Sequence, residues 1–393
     1  MISTDTTPMS LASRFFVAAS GVWPPMCNQM LMEGLGNIDV ALWRDAVQKA
    51  SDKNPGSRYR LEGVLAGCRW VDTGIDPVVR VVDGSGWDGF GSKGAPFLMD
   101  KLDTHHGPTC EVLVVQGNPL RVVFRTHHGV MDGMGTITWV EDIFNALAGR
   151  PLAGSRLGVT EDDLLNLTPG TVQPASQNFI PVTGKPVGEK TGLVWKRETI
   201  TGKYKKLLSQ IIHLTAREAW KNSKGNVRIG VPVNLRPRQE GLRSTNNLTT
   251  LFFVYVTPDT TIEDIESEIK GRLQGRQDGA YTWEDKIVRY IPITILKSIL
   301  SYEGKKNHRR NQYRQTGYVS NLGCLPLERF SGGGFVPKTF FFIPPGLESL
   351  PFFMTLNGGE NHVELILTMP EVLASGGRID DLLHRIASSV VPA

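Results

Sequence analysis

With 393 residues, 40% of them hydrophobic and 21% charged, the chain can bury one or two sizeable cores, which excludes a disordered or fibrous protein. A formal net charge of +4 is too mild for nucleic-acid binding and suits anionic partners. Cys27, Cys68, Cys110 and Cys324 are scattered, with no CxxC pair and no histidine at ligand spacing, so neither a disulfide framework nor a metal site is expected.

In chain order, Met30-Leu-Met32 predicts a strand, and Asp39 can cap a helix that carries Trp43, Ala46, Val47 and Ala50 on one face and stops before Pro55. Strand-like segments near Cys68–Val71, Val78–Val82 and Cys110–Val115 precede a further strand, Leu120-Arg-Val-Val-Phe-Arg-Thr126. That strand leads into His127-His128-Gly-Val-Met-Asp132-Gly133. With a period of two, Leu120, Val122, Phe124, Thr126 and His128 share one face, while Arg121, Val123, Arg125 and His127 share the other. Only one of the two histidines is therefore expected on the apolar side. Ile137, Val140, Ile143, Phe144 and Leu147 then recur at helical spacing, closed by Gly149-Arg-Pro151.

From Leu152 to Lys190 the sequence is rich in Pro, Gly, Thr and Ser, which predicts a connection between two halves, residues 1–160 and 191–393, joined by 161–190. The second half restarts with a strand around Gly192–Thr199, a helix around Lys203–Lys221, and strands at Val227–Val233 and Thr249–Val256. Thr261-Ile-Glu-Asp264 predicts a capping box opening a helix with Ile262, Ile265, Ile269 and Leu273 on one side. A last helix carries Ile379, Leu382, Leu383, Ile386 and Val390. The fold class is α/β with mixed sheets. The N-terminus shows no basic cluster before its apolar residues, and the longest apolar run elsewhere, Leu251–Val256, is of strand length, so neither export nor membrane insertion is expected and a cytoplasmic location fits.

The His-His…Asp-Gly unit points to acyl transfer. A neutral imidazole, ordinarily near pKa ~6.5, can take a proton from an amine or alcohol at neutral pH once its tautomer is fixed, which assigns His128 as the base and His127 as support. Asp132 is too costly to bury unpaired and is expected to lock the turn through a buried arginine. Gly133 would let backbone approach closely at the helix start, where N–H groups can hold a developing oxyanion. His105-His106-Gly107 repeats part of the pattern but has Cys110-Glu111 where Asp-Gly should stand. Gly89-Phe-Gly91-Ser-Lys-Gly94 is followed by Ala95-Pro96 instead of a long helix, so it is a turn and not a dinucleotide site. There is no GxSxG elbow and no Walker loop, so the energy must arrive with an activated donor.

His127-His128-Gly-Val-Met-Asp132-Gly133 matches the HHxxxDG signature of the superfamily that includes chloramphenicol acetyltransferase, nonribosomal peptide synthetase condensation domains, plant-type acyltransferases and alcohol acetyltransferases. The chain resembles that superfamily beyond the motif. Ser10-Leu-Ala12 is similar to its opening element, and Lys53-Asn54-Pro55-Gly-Ser-Arg58-Tyr-Arg60-Leu61 to the element after the first helix. Val231-Pro-Val-Asn-Leu-Arg236-Pro and Asn246-Asn247-Leu248 resemble second-half strands, and Ser320-Asn-Leu-Gly323 matches a late element of many acyltransferases. Asn54 stands where a histidine is usual and Asn246 where a glycine is usual, and the plant-type DFGW motif is absent, which argues against a plant-type enzyme.

The resemblance implies two chloramphenicol acetyltransferase-like halves in a V-shaped pseudodimer, with His128 in a channel between them. It makes Arg58 and Arg60 the leading partners of Asp132, with Arg236 a further candidate for the donor channel or for packing. Ser320 and Asn321 would line the channel or form a turn. The implied donor is an acyl-CoA or an acyl or peptidyl carrier protein bearing phosphopantetheine, and the acceptor a small amine or alcohol; no bound cofactor is implied. Condensation to an amide or ester is the leading expectation. A coenzyme A-dependent N- or O-acetyltransferase and a non-catalytic relative that binds a carrier protein or ligand are the alternatives. Lys305, Lys306, Arg309 and Arg310 form a basic run that is either a solvated loop or a docking site for the donor.

Overall fold

The structure, a computed structural model, describes residues 6–165, 178–276 and 287–393, so part of the expected connection, 166–177, lies outside the described residues. In chain order the elements are β1 (Thr6–Pro8), α1 (Leu11–Ser20), β2 (Cys27–Gly36), α2 (Val40–Lys53), β3 (Tyr59–Glu62), β4 (Arg69–Asp72), β5 (Val78–Asp83), β6 (Cys110–Gln116), β7 (Leu120–His127), α3 (Gly133–Leu147) and α4 (Glu161–Leu164). There follow β8 (Leu193–Thr201), α5 (Leu207–Asn222), β9 (Val227–Asn234), β10 (Thr249–Val256), α6 (Ile262–Gly275), α7 (Ile293–Arg310), β11 (Gly317–Cys324), β12 (Phe335–Ile343), β13 (Phe353–Gly358), β14 (His362–Pro370), α8 (Glu371–Ala374) and α9 (Arg378–Ser389). Asp39 caps α2 and Thr261 closes a capping box on α6, as their sequences predict.

Two mixed sheets carry the fold. One has the order β12-β2-β7-β6-β5, the other β10-β9-β11-β13-β14-β8, and a small third sheet is β1-β4-β3. β7 is buried on both faces, and for that reason its sequence alternates apolar residues with arginines. Val122 and Phe124 pack with Trp43 and Phe144 under α2 and α3, while Val123 packs with Leu31, Trp87 and Phe341 on the reverse side. The arginines of that reverse face are paired: Arg121 with Glu33 at 2.8 Å, and Arg125 with Glu111. A charge buried this way is tolerable only because it is matched.

The two parts of the chain are interlocked. β12 leaves the second half and adds to the first sheet, pairing antiparallel with β2 from Phe335 opposite Gly36 to Ile343 opposite Gln29. Phe335, Phe340 and Phe342 thereby join the core around Trp43 and Phe124, each contributing roughly 1.5–3 kcal/mol of burial. Glu33 extends the tie, because its second oxygen takes Arg197 of β8 at 2.8 Å, and Arg197 in turn grips Glu364 of β14 through two nitrogens.

Candidate active site

The turn between β7 and α3 is fixed from three directions. Asp132 caps α3, its Oδ1 accepting from Gly135 N at 2.6 Å. The second half supplies the rest of its partners: Arg236 donates through Nη1 to Oδ2 and through Nη2 to Oδ1, each at 3.0 Å, and Leu248 N and Thr249 Oγ1 donate to Oδ2 at 2.7 and 2.8 Å. Burial alone would raise the pKa of this 1% exposed carboxyl, but Arg236 and the backbone donors hold it below the usual carboxylate value. The guanidinium is equally satisfied, with Nε on Ser244 O at 2.9 Å, Nη1 on Asn234 Oδ1 at 3.0 Å and Nη2 on Asn246 O at 2.6 Å. The buried arginine is therefore Arg236, not Arg58 or Arg60. Arg58 instead bonds Asp72 and Asp52, and Arg60 lies against Gly107. The resemblance misled here: the pairing spans 104 residues and joins two sheets.

A parallel correction applies to the glycines. A Cβ on Gly133 would meet side chains alone, the Leu322 Cδ2 methyl at 3.2 Å and Phe342 Cε1 at 3.9 Å, whereas one on Gly135 would collide with the Thr245 carbonyl oxygen. Gly135 is thus the position where α3 and the 234–249 segment need close backbone approach. Arg243 of the same segment holds α3 a second time, through Asp142 at 2.9 Å. Asn54, where a histidine is usual, donates to that same Asp142 at 2.8 Å.

The two histidines differ in what their nitrogens meet. β7 ends at His127, so His128 sits in the turn and the alternation of strand faces does not extend to it. His127 is the more buried, at 1% exposure; its Nδ1 accepts from Gly129 N at 3.0 Å, which leaves the proton on an Nε2 that is sealed from solvent and has no partner among the described residues. Burial, with the nearby charges of His128 and Lys101, pushes its pKa down to about 3. His128 is half-buried, its ring stacked on Phe16 at 3.9 Å between centroids and 8° between planes. Burial lowers its pKa, against opposing hydrogen bonds from the ring to the backbone of His128 and Met131 and the attraction of Asp132.

His128 Nδ1 lies 3.4 Å from Asn247 Nδ2, a contact whose direction depends on the tautomer, and Asn247 also donates to His128 O at 2.8 Å. Nε2 can act as a base in the tautomer that carries its proton on Nδ1. His128 Nε2 bonds no described residue and is not among the atoms sealed from solvent. The arrangement is an imidazole held in plane against Phe16, its pKa lowered by burial, with Nε2 accessible.

α1 forms the wall behind this ring. Ser10 caps it, Ser13 Oγ donates to Gly129 O at 2.6 Å, and Phe16 supplies the stacking face. The opening Ser10-Leu-Ala12 element thus has a mechanical role, and Asn247 belongs to the family-like Asn246-Asn247-Leu248 element, while Phe16 and Gly135 carried no sequence signal that singled them out. Glu161 is a further buried acid beside α1: Ala12 N donates to it at 3.2 Å, and burial raises its pKa to about 7.

Other expected site residues lie elsewhere. Ser320 is half-buried and Asn321 exposed on β11, where Asn321 Oδ1 accepts from Gly323 N; the β11 side chain that reaches Gly133 is Leu322. A cleft of about 890 Å³ opens farther along, lined by Cys324, Leu325, Leu327, Lys338, Glu360 and His362. Lys305, Lys306, Arg309 and Arg310 are exposed, but on the last turns of α7 and not in a loop. His105 and His106 sit in a turn organised by Asp103, and Gly94 is followed by a single 3-10 turn, Pro96–Met99.

By sequence, no protein-family model and no curated protein matches the chain. By structure it is similar to the first condensation domain of the CDA synthetase, at TM-score 0.68 and 14% identity, covering 98% of this chain and 95% of that one. The starter condensation domain of rhizomide synthetase, a mutant in complex with C8-CoA and Leu-SNAC, matches at TM-score 0.63 and 13% identity over 98% and 93%. Polyketide synthase associated protein 5 from Mycobacterium tuberculosis matches at 0.62 and 11% over 99% and 98%. The fold is that of a condensation domain, over essentially the full length.

Proposed function

We propose that the protein transfers an acyl group from a thioester to an amine or hydroxyl, with His128 as the proton acceptor. The observation that carries this reading is the His128 ring held flat against Phe16, its pKa lowered by burial and its Nε2 bonded to no described residue. An acceptor N–H or O–H hydrogen-bonds to Nε2, and its heteroatom attacks the thioester carbonyl as the proton passes to His128. Gly133 N and Met134 N, at the open end of α3 and bonded to no described residue, are the proposed donors to the oxyanion. Collapse expels the thiolate, which recovers the proton from the imidazolium. No metal or redox group enters this sequence.

The donor follows from the same chemistry: a coenzyme A thioester or a phosphopantetheinyl carrier protein. The C8-CoA complex of the rhizomide starter domain supports offering coenzyme A donors, and a coenzyme A-dependent N- or O-acetyltransferase would use the same residues. The test is mass spectrometry of products after incubation with acyl-CoA and acyl-carrier donors and a panel of amines and alcohols. The expected result is an acceptor mass increased by one acyl group. Absence of acylated product with both donor classes across the panel contradicts the proposal.

A further inference from the structure

Eighteen large hydrophobic side chains are exposed among the described residues, and five of them, Ile287, Tyr290, Ile295, Ile299 and Tyr302, fall within sixteen residues of chain. Apolar side chains scattered singly are ordinary on a protein surface, whereas a cluster marks contact with something. α7 already buries its other face, with Gly304 against Trp23 and His308 bonded to Tyr313 and Glu348. At helical spacing, Ile295, Ile299 and Tyr302 form a narrow stripe on the opposite side, and Lys306, Arg309 and Arg310 continue the same line to the C-terminal end. Lys297, Lys305, Lys306, Arg309 and Arg310 make no ion pair among the described residues, and the helix's one acid, Glu303, is held by Arg314 at 2.7 Å.

We infer that this face of α7 docks on the surface of a bilayer containing anionic lipids, the helix lying flat with Ile295, Ile299 and Tyr302 in the headgroup boundary and the basic end among lipid phosphates. The charge pattern selects the occupant. Unpaired cations at one end of an apolar stripe require anions, and a second copy of the chain would present none on this face. A single projecting ridge also suits a deformable lipid surface, which closes around isolated Ile and Tyr side chains, better than a protein partner, which needs a matching groove. No helix among the described residues is long and apolar enough to cross a membrane, so the attachment is peripheral. Peripheral docking needs none of the membrane insertion that the sequence argues against.

The test is flotation of the full chain with vesicles of phosphatidylcholine alone and with added phosphatidylglycerol. The parent should float only with the anionic vesicles. Combining Lys305→Gln, Lys306→Gln, Arg309→Gln and Arg310→Gln should lower partition at least ~100-fold, because each cation near an anionic surface is worth roughly 5-fold. Ile295→Ser with Ile299→Ser and Tyr302→Ser should lower it ~10-fold or more without changing the charge. A control neutralising four exposed lysines on other elements, Lys93, Lys185, Lys205 and Lys224, should bind like the parent. The Ile295→Ser, Ile299→Ser, Tyr302→Ser variant, which touches no residue proposed to meet the donor, should turn over a soluble coenzyme A thioester at the parental rate, which separates this inference from the reading of His128. Failure to float, equal binding to neutral vesicles, or equal loss in the control overturns it. So does a defect confined to carrier-protein donors, which would assign the surface to an acidic protein.

Discussion

Replacing Asp132 with asparagine removes one charge with almost no change of size, so the substitution isolates the buried pair with Arg236. The carboxylate accepts five hydrogen bonds, from Gly135 N, Leu248 N, Thr249 Oγ1 and two guanidinium nitrogens. An asparagine can accept on one side only. Its NH2 must face either Gly135 N and Arg236 Nη2, or Leu248 N and Arg236 Nη1, which sets donors against donors. The guanidinium keeps three neutral acceptors but loses its counter-ion at 7% exposure. Breaking such a pair from one side costs ~3–5 kcal/mol. With an unfolding entropy of ~2 cal/mol/K per residue, a chain of 393 residues loses about 1 °C of Tm for each kcal/mol, so calorimetry should show a drop of about 4–6 °C. The Asp132→Asn/Arg236→Gln double variant should be less destabilised than the sum of the single variants, with a coupling of ~1 kcal/mol or more. An Asp132→Asn protein that melts within about 1 °C of the parent, or a strictly additive double variant, would refute the reasoning.

His128→Ala should lower kcat/KM by ~10²–10⁴-fold with a parental melt, because it removes a half-buried proton acceptor; His127→Ala should cost less activity, and the reverse order would show that the wrong histidine has been assigned. Since the folded His127 stays neutral down to about pH 3 while the unfolded one protonates near ~6.5, acidification across that window favours unfolding by up to ~1.4 kcal/mol per pH unit. His127→Gln should flatten that slope in urea titrations, and an unchanged slope counts against a buried neutral imidazole. Glu161 has the opposite sign: with its pKa raised to about 7, the folded protein holds a proton that the unfolded chain releases above ~4.5, so stability is lost as pH rises through this range. Glu161→Gln should therefore stabilise the protein at pH 8 by ~3 kcal/mol, seen as a raised Tm, and hardly at pH 4, and equal shifts at both would remove burial as the cause.

Local signals were legible in the sequence, and long-range ones were not. The β7 strand, the α3 periodicity, the caps at Asp39 and Thr261 and the need to pair Asp132 all follow from spacing within a few residues. The order of family-like elements along the chain anticipated the fold that the structural matches show. What was missed depends on which segments meet. Nothing local marks β12 as the edge strand of the first sheet, because Phe335–Ile343 is simply an apolar run that either sheet could use. The resemblance of the Lys53–Leu61 element pointed to Arg58 and Arg60 as partners of Asp132, but Asp72 and Asp52 satisfy Arg58 first. The strand alternation was extended one residue too far, so His128 was placed by a face it does not share. The basic run, for which a solvated loop was one of the two readings, forms the last turns of α7, whose apolar residues come earlier, at Ile293 to Tyr302.

The central claim, that His128 drives acyl transfer to an acceptor, is tested most directly by acceptor-dependent release of free thiol from an acyl thioester, measured for the parent and His128→Ala in parallel. The account predicts that thiol appears only when an acceptor is present, that its amount equals the acylated acceptor formed, and that His128→Ala slows both by at least ~100-fold. Thiol release that is independent of acceptor, or that proceeds equally fast in His128→Ala, would contradict it.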